Sequence, residues 1–305
     1  MKFRWDHRLL LLVAVFLFIA LANSPSSIST AILPSELEDV NVQYDDISSS
    51  NNTTIYSAYR FDRSGAAVHD MLMAHAYAFS INKTYGGACP VKYLARKDTV
   101  FLLNKLSLSN ILRIACPKGE KNSGLVVPDV VYRKFDNSTF TESWREMVHD
   151  QMPRSKRLGN FTKIVVHIRR GDVDPCRHEG RYLPNYHYLK LIEAFLPPDS
   201  KVQFNVTIYS ESQSVSSFEV FHKLNYTVKL DTELPEVWGD MMSADVLILS
   251  KSSFSFVPAL LNPNTVVYTQ FWHNPIETWK IVSKDLIQNS TNFVTLLRQE
   301  ICSTL

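Results

Sequence analysis

Lys163-Ile164-Val165-Val166-His167-Ile168-Arg169-Arg170-Gly171-Asp172 is a short β-branched run that ends in two arginines, a glycine and an aspartate. An apolar run of this length reads as a strand buried on both faces, and its polar end as the turn that follows. Four more strands are predicted after it: Phe204 to Tyr209, Tyr226 to Leu230, Asp245 to Leu249 and Thr265 to Thr269. Between them lie stretches with helical spacing, at Tyr186 to Phe195, Ser214 to His222, Glu236 to Met242 and Ser253 to Leu261. Residues 275–302 are expected to be helical, with a break near Asn289. Strands alternating with helices predict an α/β chain with a doubly wound parallel sheet in its C-terminal half. Such sheets bind ligands at the carboxyl ends of their strands. The places to look are therefore just after Ile168, Tyr209, Leu230, Leu249 and Thr269.

After the first of these strands, Arg169 and Arg170 are costly neighbours unless something anionic compensates them. A guanidinium fork matches phosphate oxygens, but an ion pair with Asp172 or Asp174 would serve as well. After the fourth strand, Ser250-Lys251-Ser252-Ser253-Phe254-Ser255 leads into a helix. Serines there are ordinary caps, and the same geometry offers hydroxyl and N–H groups to a phosphate. Ser210-Glu211-Ser212 follows the second strand as either a cap or a nucleotide contact. Asp231 and Asp240 lie between the third and fourth strands, as base-pocket acceptors, caps or solvated charges. The long loop from Gly171 to Asn185 holds Asp174, His178, Glu179 and Tyr182. Long loops at strand ends are commonly functional. If a hydroxyl must lose a proton here, Asp172, Asp174 and Glu179 are the candidate bases.

The rest of the chain sets the frame. It has 305 residues, 45% of them hydrophobic, enough for one or two domains. A net charge of +2 gives no sign of nucleic-acid binding or of a polybasic membrane surface. Lys2, Arg4 and Arg8 precede an apolar run from Leu9 to Ala22, a targeting segment. It is read either as a signal anchor of a single-pass type II Golgi or ER protein or as a cleaved signal peptide of a secreted one. Residues 23–54 read as a flexible stem, 55–158 as an N-terminal α/β domain and 159–305 as a C-terminal domain. In the N-terminal half a helix is predicted over 65–80, ended by Gly86-Gly87, then a strand-like run Thr99 to Leu103 and a helix over 141–152. Asn-x-Ser/Thr occurs at Asn51, Asn52, Asn82, Asn137, Asn160, Asn205, Asn225 and Asn289. Composition predicts about three such triplets, so the excess favours a lumenal chain. Cys89, Cys116, Cys176 and Cys302 would then form up to two disulfides, in any of three pairings. Their spacing fits no zinc pattern.

His167-Ile168-Arg169-Arg170-Gly171-Asp172 resembles the H-x-R-R-x-D motif of the α1,2-, α1,6- and protein-O-fucosyltransferase superfamily. The run from Ala244 to Ser255 is similar to that superfamily's later motif, an alanine-aspartate and apolar run leading to serines before a helix. The resemblance covers about residues 160 to 275. It implies a GT-B-like fold of two Rossmann-like domains, with 55–158 on the acceptor side and 159–305 binding the nucleotide sugar, an inverting mechanism, GDP-fucose as donor, a glycan or glycoprotein acceptor, and no metal or other cofactor. By position, Arg169 would hold the β-phosphate and Arg170 would support that contact or shape the loop. His167 would lie near guanine or ribose, and Ser252 and Ser253 at the diphosphate. Ser210, Asp240 and Ser250 complete the expected binding set, with Asp172 and Glu179 beside the arginines as catalytic candidates. The α1,6 enzymes carry a glutamate base soon after the motif. The corresponding spot here is near Arg177, and Glu179 only approximates it.

Other readings stand beside this one. Asp172-Val173-Asp174 is a D-x-D, which would suit a metal-dependent transferase using another nucleotide sugar. A glycan-binding relative without transfer activity would keep the same motifs. Arg170-Gly171-Asp172 is an adhesion tripeptide on exposed loops, but it follows a buried strand directly here.

Overall fold

The computed structural model describes residues 37–39, 43–45, 54–61, 64–90, 94–117, 125–126, 140–152, 161–196, 203–213 and 217–302. The targeting segment and most of the stem lie outside these residues. No helix among the described residues is long and apolar enough to cross a membrane.

In chain order the N-terminal half holds β1 (Leu37–Asp39), β2 (Gln43–Asp45), β3 (Thr54–Ala58), α1 (Ser64–Ser80), β4 (Thr84–Cys89), β5 (Leu94–Arg96), α2 (Lys97–Lys105), β6 (Ala115–Pro117), β7 (Leu125–Val126) and α3 (Glu142–Gln151). The C-terminal half holds β8 (Phe161–His167), α4 (Asn185–Phe195), β9 (Gln203–Ser210), α5 (Glu219–Lys223), β10 (Thr227–Leu230), α6 (Leu234–Met242), β11 (Val246–Ile248), α7 (Ser253–Leu260), β12 (Thr265–Tyr268), β13 (Lys280–Ile281) and α8 (Lys284–Ile301).

The C-terminal strands form one six-stranded sheet in the order β10-β9-β8-β11-β12-β13, parallel throughout. Counted from β8, that is the 3-2-1-4-5-6 order of a dinucleotide-type fold, with its topological switch point between β8 and β11. Ile164, Val165 and Val166 of β8 are all fully buried, each side chain contributing about 1.5–3 kcal/mol of burial. Alternation sends them to opposite faces. Ile164 and Val166 join Tyr188, Leu191 and Ile192 of α4 and Phe221 of α5. Val165 joins Trp238 and Met241 of α6 and Phe256 of α7. The sheet is thus doubly wound.

A smaller parallel sheet, β4-β3-β7, carries the N-terminal half, with α1 packed on it. The fold is α/β with a parallel sheet in each half, the plan expected of a GT-B-like chain. One apolar cluster runs through both halves, joining Val68, Met71 and Leu72 of α1 and Trp144 of α3 to Val165, Trp238 and Phe256.

Several expected elements differ. Thr99 to Leu103 belongs to helix α2 and is not a strand. Its buried residues, Thr99, Leu102 and Leu103, follow helical spacing, while Phe101 and Asn104 face solvent. Gly86 and Gly87 lie inside β4 and end nothing. A Cβ on Gly86 would fall 2.5 Å from the Tyr56 ring, so the glycine marks a close approach between strands. The final helix starts at Lys284, after the two-residue strand β13, and passes Asn289 without a break. The helix expected from Ser214 is only α5, and residues 214–216 fall outside the description.

Candidate functional site

The chain leaves β8 toward α4 on one face of the sheet and leaves β11 toward α7 on the other. Their carboxyl ends therefore open a crevice. A pocket of about 450 Å³ lies there. From the end of β8 it takes His167, from the turn that follows Arg169, from just after β9 Glu211, and from the start of α7 Ser252, Ser253 and Phe254. The turn after β12 adds Trp272 and His273, and the loop before α4 adds Arg181. The N-terminal half closes the pocket with Arg60, after β3, and with Gly65, Ala66 and His69 of α1.

Two helix N-termini thus meet at one cavity. Their spacing rests on Gly65, where a Cβ would lie 3.0 Å from the Phe254 Cα and 3.1 Å from its nitrogen. Ser252 caps α7 by accepting from the Phe254 N–H at 3.2 Å. Ser253 Oγ is 2.8 Å from His273 Nε2.

Arg169 faces the pocket while holding Asp172 at two points, Nε to Oδ1 at 3.1 Å and Nη2 to Oδ2 at 2.8 Å. Its Nη1 donates to the Lys251 carbonyl at 3.4 Å. His167 Nδ1 lies 2.6 Å from Ser250 Oγ, and its ring sits 4.9 Å from that of Phe254. Burial, with Arg169 and Arg170 nearby, lowers the His167 pKa to about 3, so this imidazole is neutral. Burial likewise lowers His273 to about 3, helped by His69 and Arg60. The His69 and His273 rings lie 4.3 Å apart, tilted by 36°. Glu211 is the carboxylate among the described lining residues. Its Oε2 accepts from the Arg170 N–H at 2.8 Å, and burial pushes its carboxyl above the usual range.

Of the residues expected from the sequence, His167, Arg169, Ser252 and Ser253 come together in the pocket, and the others do not line it. Arg170 is fully buried over the Tyr182 ring, at 4.5 Å. It donates to the carbonyls of Arg169 and Leu183 and to Asn185 Oδ1, which holds the loop and leaves no exposed adhesion tripeptide. Gly171, at φ +71°, makes the turn that follows. Asp172 is committed to Arg169, and Glu179 pairs with Arg298 of α8. Asp174 Oδ1 accepts from the N–H groups of Cys176 and Arg177, and its Oδ2 from Arg177 Nε, so both D-x-D carboxylates have protein partners. Ser210 donates to the Ile168 carbonyl. Ser250 stands behind His167. Asp240 accepts from Lys163 and from Tyr209 Oη, away from the pocket.

The strand-end rule pointed to the positions of Glu211, Trp272 and His273 without singling them out. Arg60, Gly65, Ala66 and His69 carry no local signal. They reach the pocket because α1 packs against α7.

No protein-family profile matches the chain, and no curated protein matches it. Among solved structures it is similar to E. coli heptosyltransferase WaaC with ADP-2-deoxy-2-fluoro heptose, at 13% identity and a TM-score of 0.39, over 81% of this chain and 99% of that one. The same figures hold for E. coli heptosyltransferase WaaC with ADP. A likeness of this degree assigns no activity.

Proposed function

We propose that this chain is an inverting glycosyltransferase that moves a sugar from a nucleoside diphosphate donor to a hydroxyl of a glycan or protein. The resemblance of the His167–Asp172 and Ala244–Ser255 motifs makes GDP-fucose the donor. One observation carries the reading: Arg169 and the N-termini of α1 and α7 converge on a single pocket at the switch point of a parallel sheet. An anion held there meets a guanidinium and two positive helix ends.

In the proposed reaction the acceptor oxygen attacks the anomeric carbon from the face opposite the diphosphate. The bond from that carbon to the β-phosphate oxygen breaks, and GDP leaves with the electron pair. Arg169 and the N–H groups at Ser252 and Ser253 stabilise the charge that develops, so the step needs no metal ion. The acceptor proton passes to Glu211, which takes the role that the sequence offered to Asp172, Asp174 or Glu179. Neutral His167, backed by Ser250, faces the base or ribose.

A lumenal or secreted location fits the two disulfides, Cys89–Cys116 and Cys176–Cys302. It also fits the exposure of the four sequon asparagines among the described residues, Asn82, Asn205, Asn225 and Asn289. The test is calorimetry of GDP binding to the full chain with EDTA present and UDP as control. Tight, GDP-selective binding is expected. No GDP binding, or a preference for UDP that appears only with Mn²⁺, overturns the reading.

A further inference from the structure

We propose that Trp272 and Arg181 form the acceptor subsite at the pocket mouth, and that it takes a sugar ring carrying a carboxylate. This rests on the donor reading above.

The pocket is graded in exposure. His167, Ser252 and His273 are buried, and the Arg169 side chain is only 11% exposed. Trp272 is 50% exposed, and Arg181 is exposed as well. The groups suited to a diphosphate therefore lie deep, and the indole and a second guanidinium stand at the opening, where an acceptor must arrive.

The Trp272 ring is braced edge-on against Phe271, 4.8 Å between centroids at 84°, and by His273 at 5.9 Å. A half-exposed indole that lines a pocket suits a ligand with one apolar face and polar edges, as a pyranose has. The Arg181 guanidinium lies over this ring at 4.7 Å. A fork placed there meets a carboxylate on the ring stacked beside it.

Among the three described arginines that line the pocket, charge pairing singles out Arg181. Arg60 has Asp70, Arg169 has Asp172, Arg177 has Asp174 and Arg298 has Glu179. Among the described residues Arg181 has no carboxylate partner, only the indole. It is nevertheless held in place. Its loop is fastened to α8 by the Cys176–Cys302 disulfide and the Glu179–Arg298 pair, and to the start of α7 by Lys251 Nζ donating to the Gly180 carbonyl at 3.0 Å. An arginine fixed before the ligand arrives loses little freedom on binding.

The test measures binding to the full chain with GDP present, using trigalacturonic acid and its neutral methyl ester as matched probes. The acid should bind about tenfold more tightly than the ester, the difference that one charge-assisted pair provides. Arg181→Gln should erase that difference, and Trp272→Ala should weaken both probes, with GDP affinity unchanged in either variant. Equal binding of acid and ester, or binding of neither, overturns the inference. A fall in GDP affinity in Arg181→Gln also overturns it, because the arginine then serves the donor phosphates. Failure of GDP to bind the unaltered chain overturns the donor reading and this inference together, whereas GDP binding without acid selectivity overturns this inference alone.

Discussion

Arg169 meets the pocket with part of its charge already answered by Asp172. The pair fixes the side chain's direction, and a phosphate adds to it at the free edge. Arg169→Ala should therefore abolish transfer in a chain that stays folded, judged by an initial-rate assay beside circular dichroism. Arg169→Lys should recover little, since an ammonium cannot hold Asp172 at two points and still present a fork. Glu211 makes a pH prediction. A base accepts a proton only when ionised, and burial raises this carboxyl. The acid limb of kcat/KM should therefore lie above the usual glutamate range, with the rate rising as pH increases through it. Glu211→Gln should remove that limb and slow transfer by about 10²- to 10⁴-fold. A limb that survives in the variant assigns the base elsewhere.

The approach of α1 to α7 is the contact on which the pocket's shape depends. Gly65→Ala would press a methyl against the Phe254 backbone at about 3 Å, which cannot yield as a side-chain tip can. The two N-termini should separate, with GDP affinity falling more than thermal stability in a direct comparison. Ser252→Ala removes the cap of α7, at a cost of about 1 kcal/mol. Combined with Ser253→Ala it should weaken GDP binding. Unchanged affinity would leave both serines as helix caps alone. The Cys176–Cys302 bridge closes a 126-residue separation, so its removal should cost up to about 4–5 kcal/mol. It should also loosen the loop that carries Arg181.

Four histidines couple the whole fold to pH. Burial is the leading cause for each: it lowers His75 and His187 to about 4, and His167 and His273 to about 3. Unfolded, each titrates near 6.5, so between these values the unfolded chain binds more protons than the folded one. Their stabilisation is complete above about pH 6.5 and drains away as pH falls toward 3–4, at up to about 1.4 kcal/mol per unit for each group. The melting temperature should fall steadily from pH 7 to pH 5. A flat profile over that window would show that these imidazoles are open to protonation in the folded state.

Local pattern was enough to place five of the six strands of the C-terminal sheet, all but the two-residue β13. β-branched runs such as Ile164 to Val166 and Val246 to Ile248 are legible because burial on both faces demands them. His167, Arg169, Ser252 and Ser253 were legible for the same reason, since strand ends in a parallel sheet are fixed places for ligands. A five-residue run such as Thr99 to Leu103 fits strand or helix equally, and only packing resolved it into α2. Nor could sequence separate Asp172 and Glu179, tied to Arg169 and Arg298, from Glu211, left facing the pocket. The Asp172 pair is local, but the Glu179–Arg298 pair joins residues far apart in the chain, and no local pattern records it. His69 enters the pocket for a similar reason: the helix that carries it is buried against α7, nearly two hundred residues downstream. Periodicity records which face of an element is buried, but not which other element covers it, and that pairing assembled the pocket.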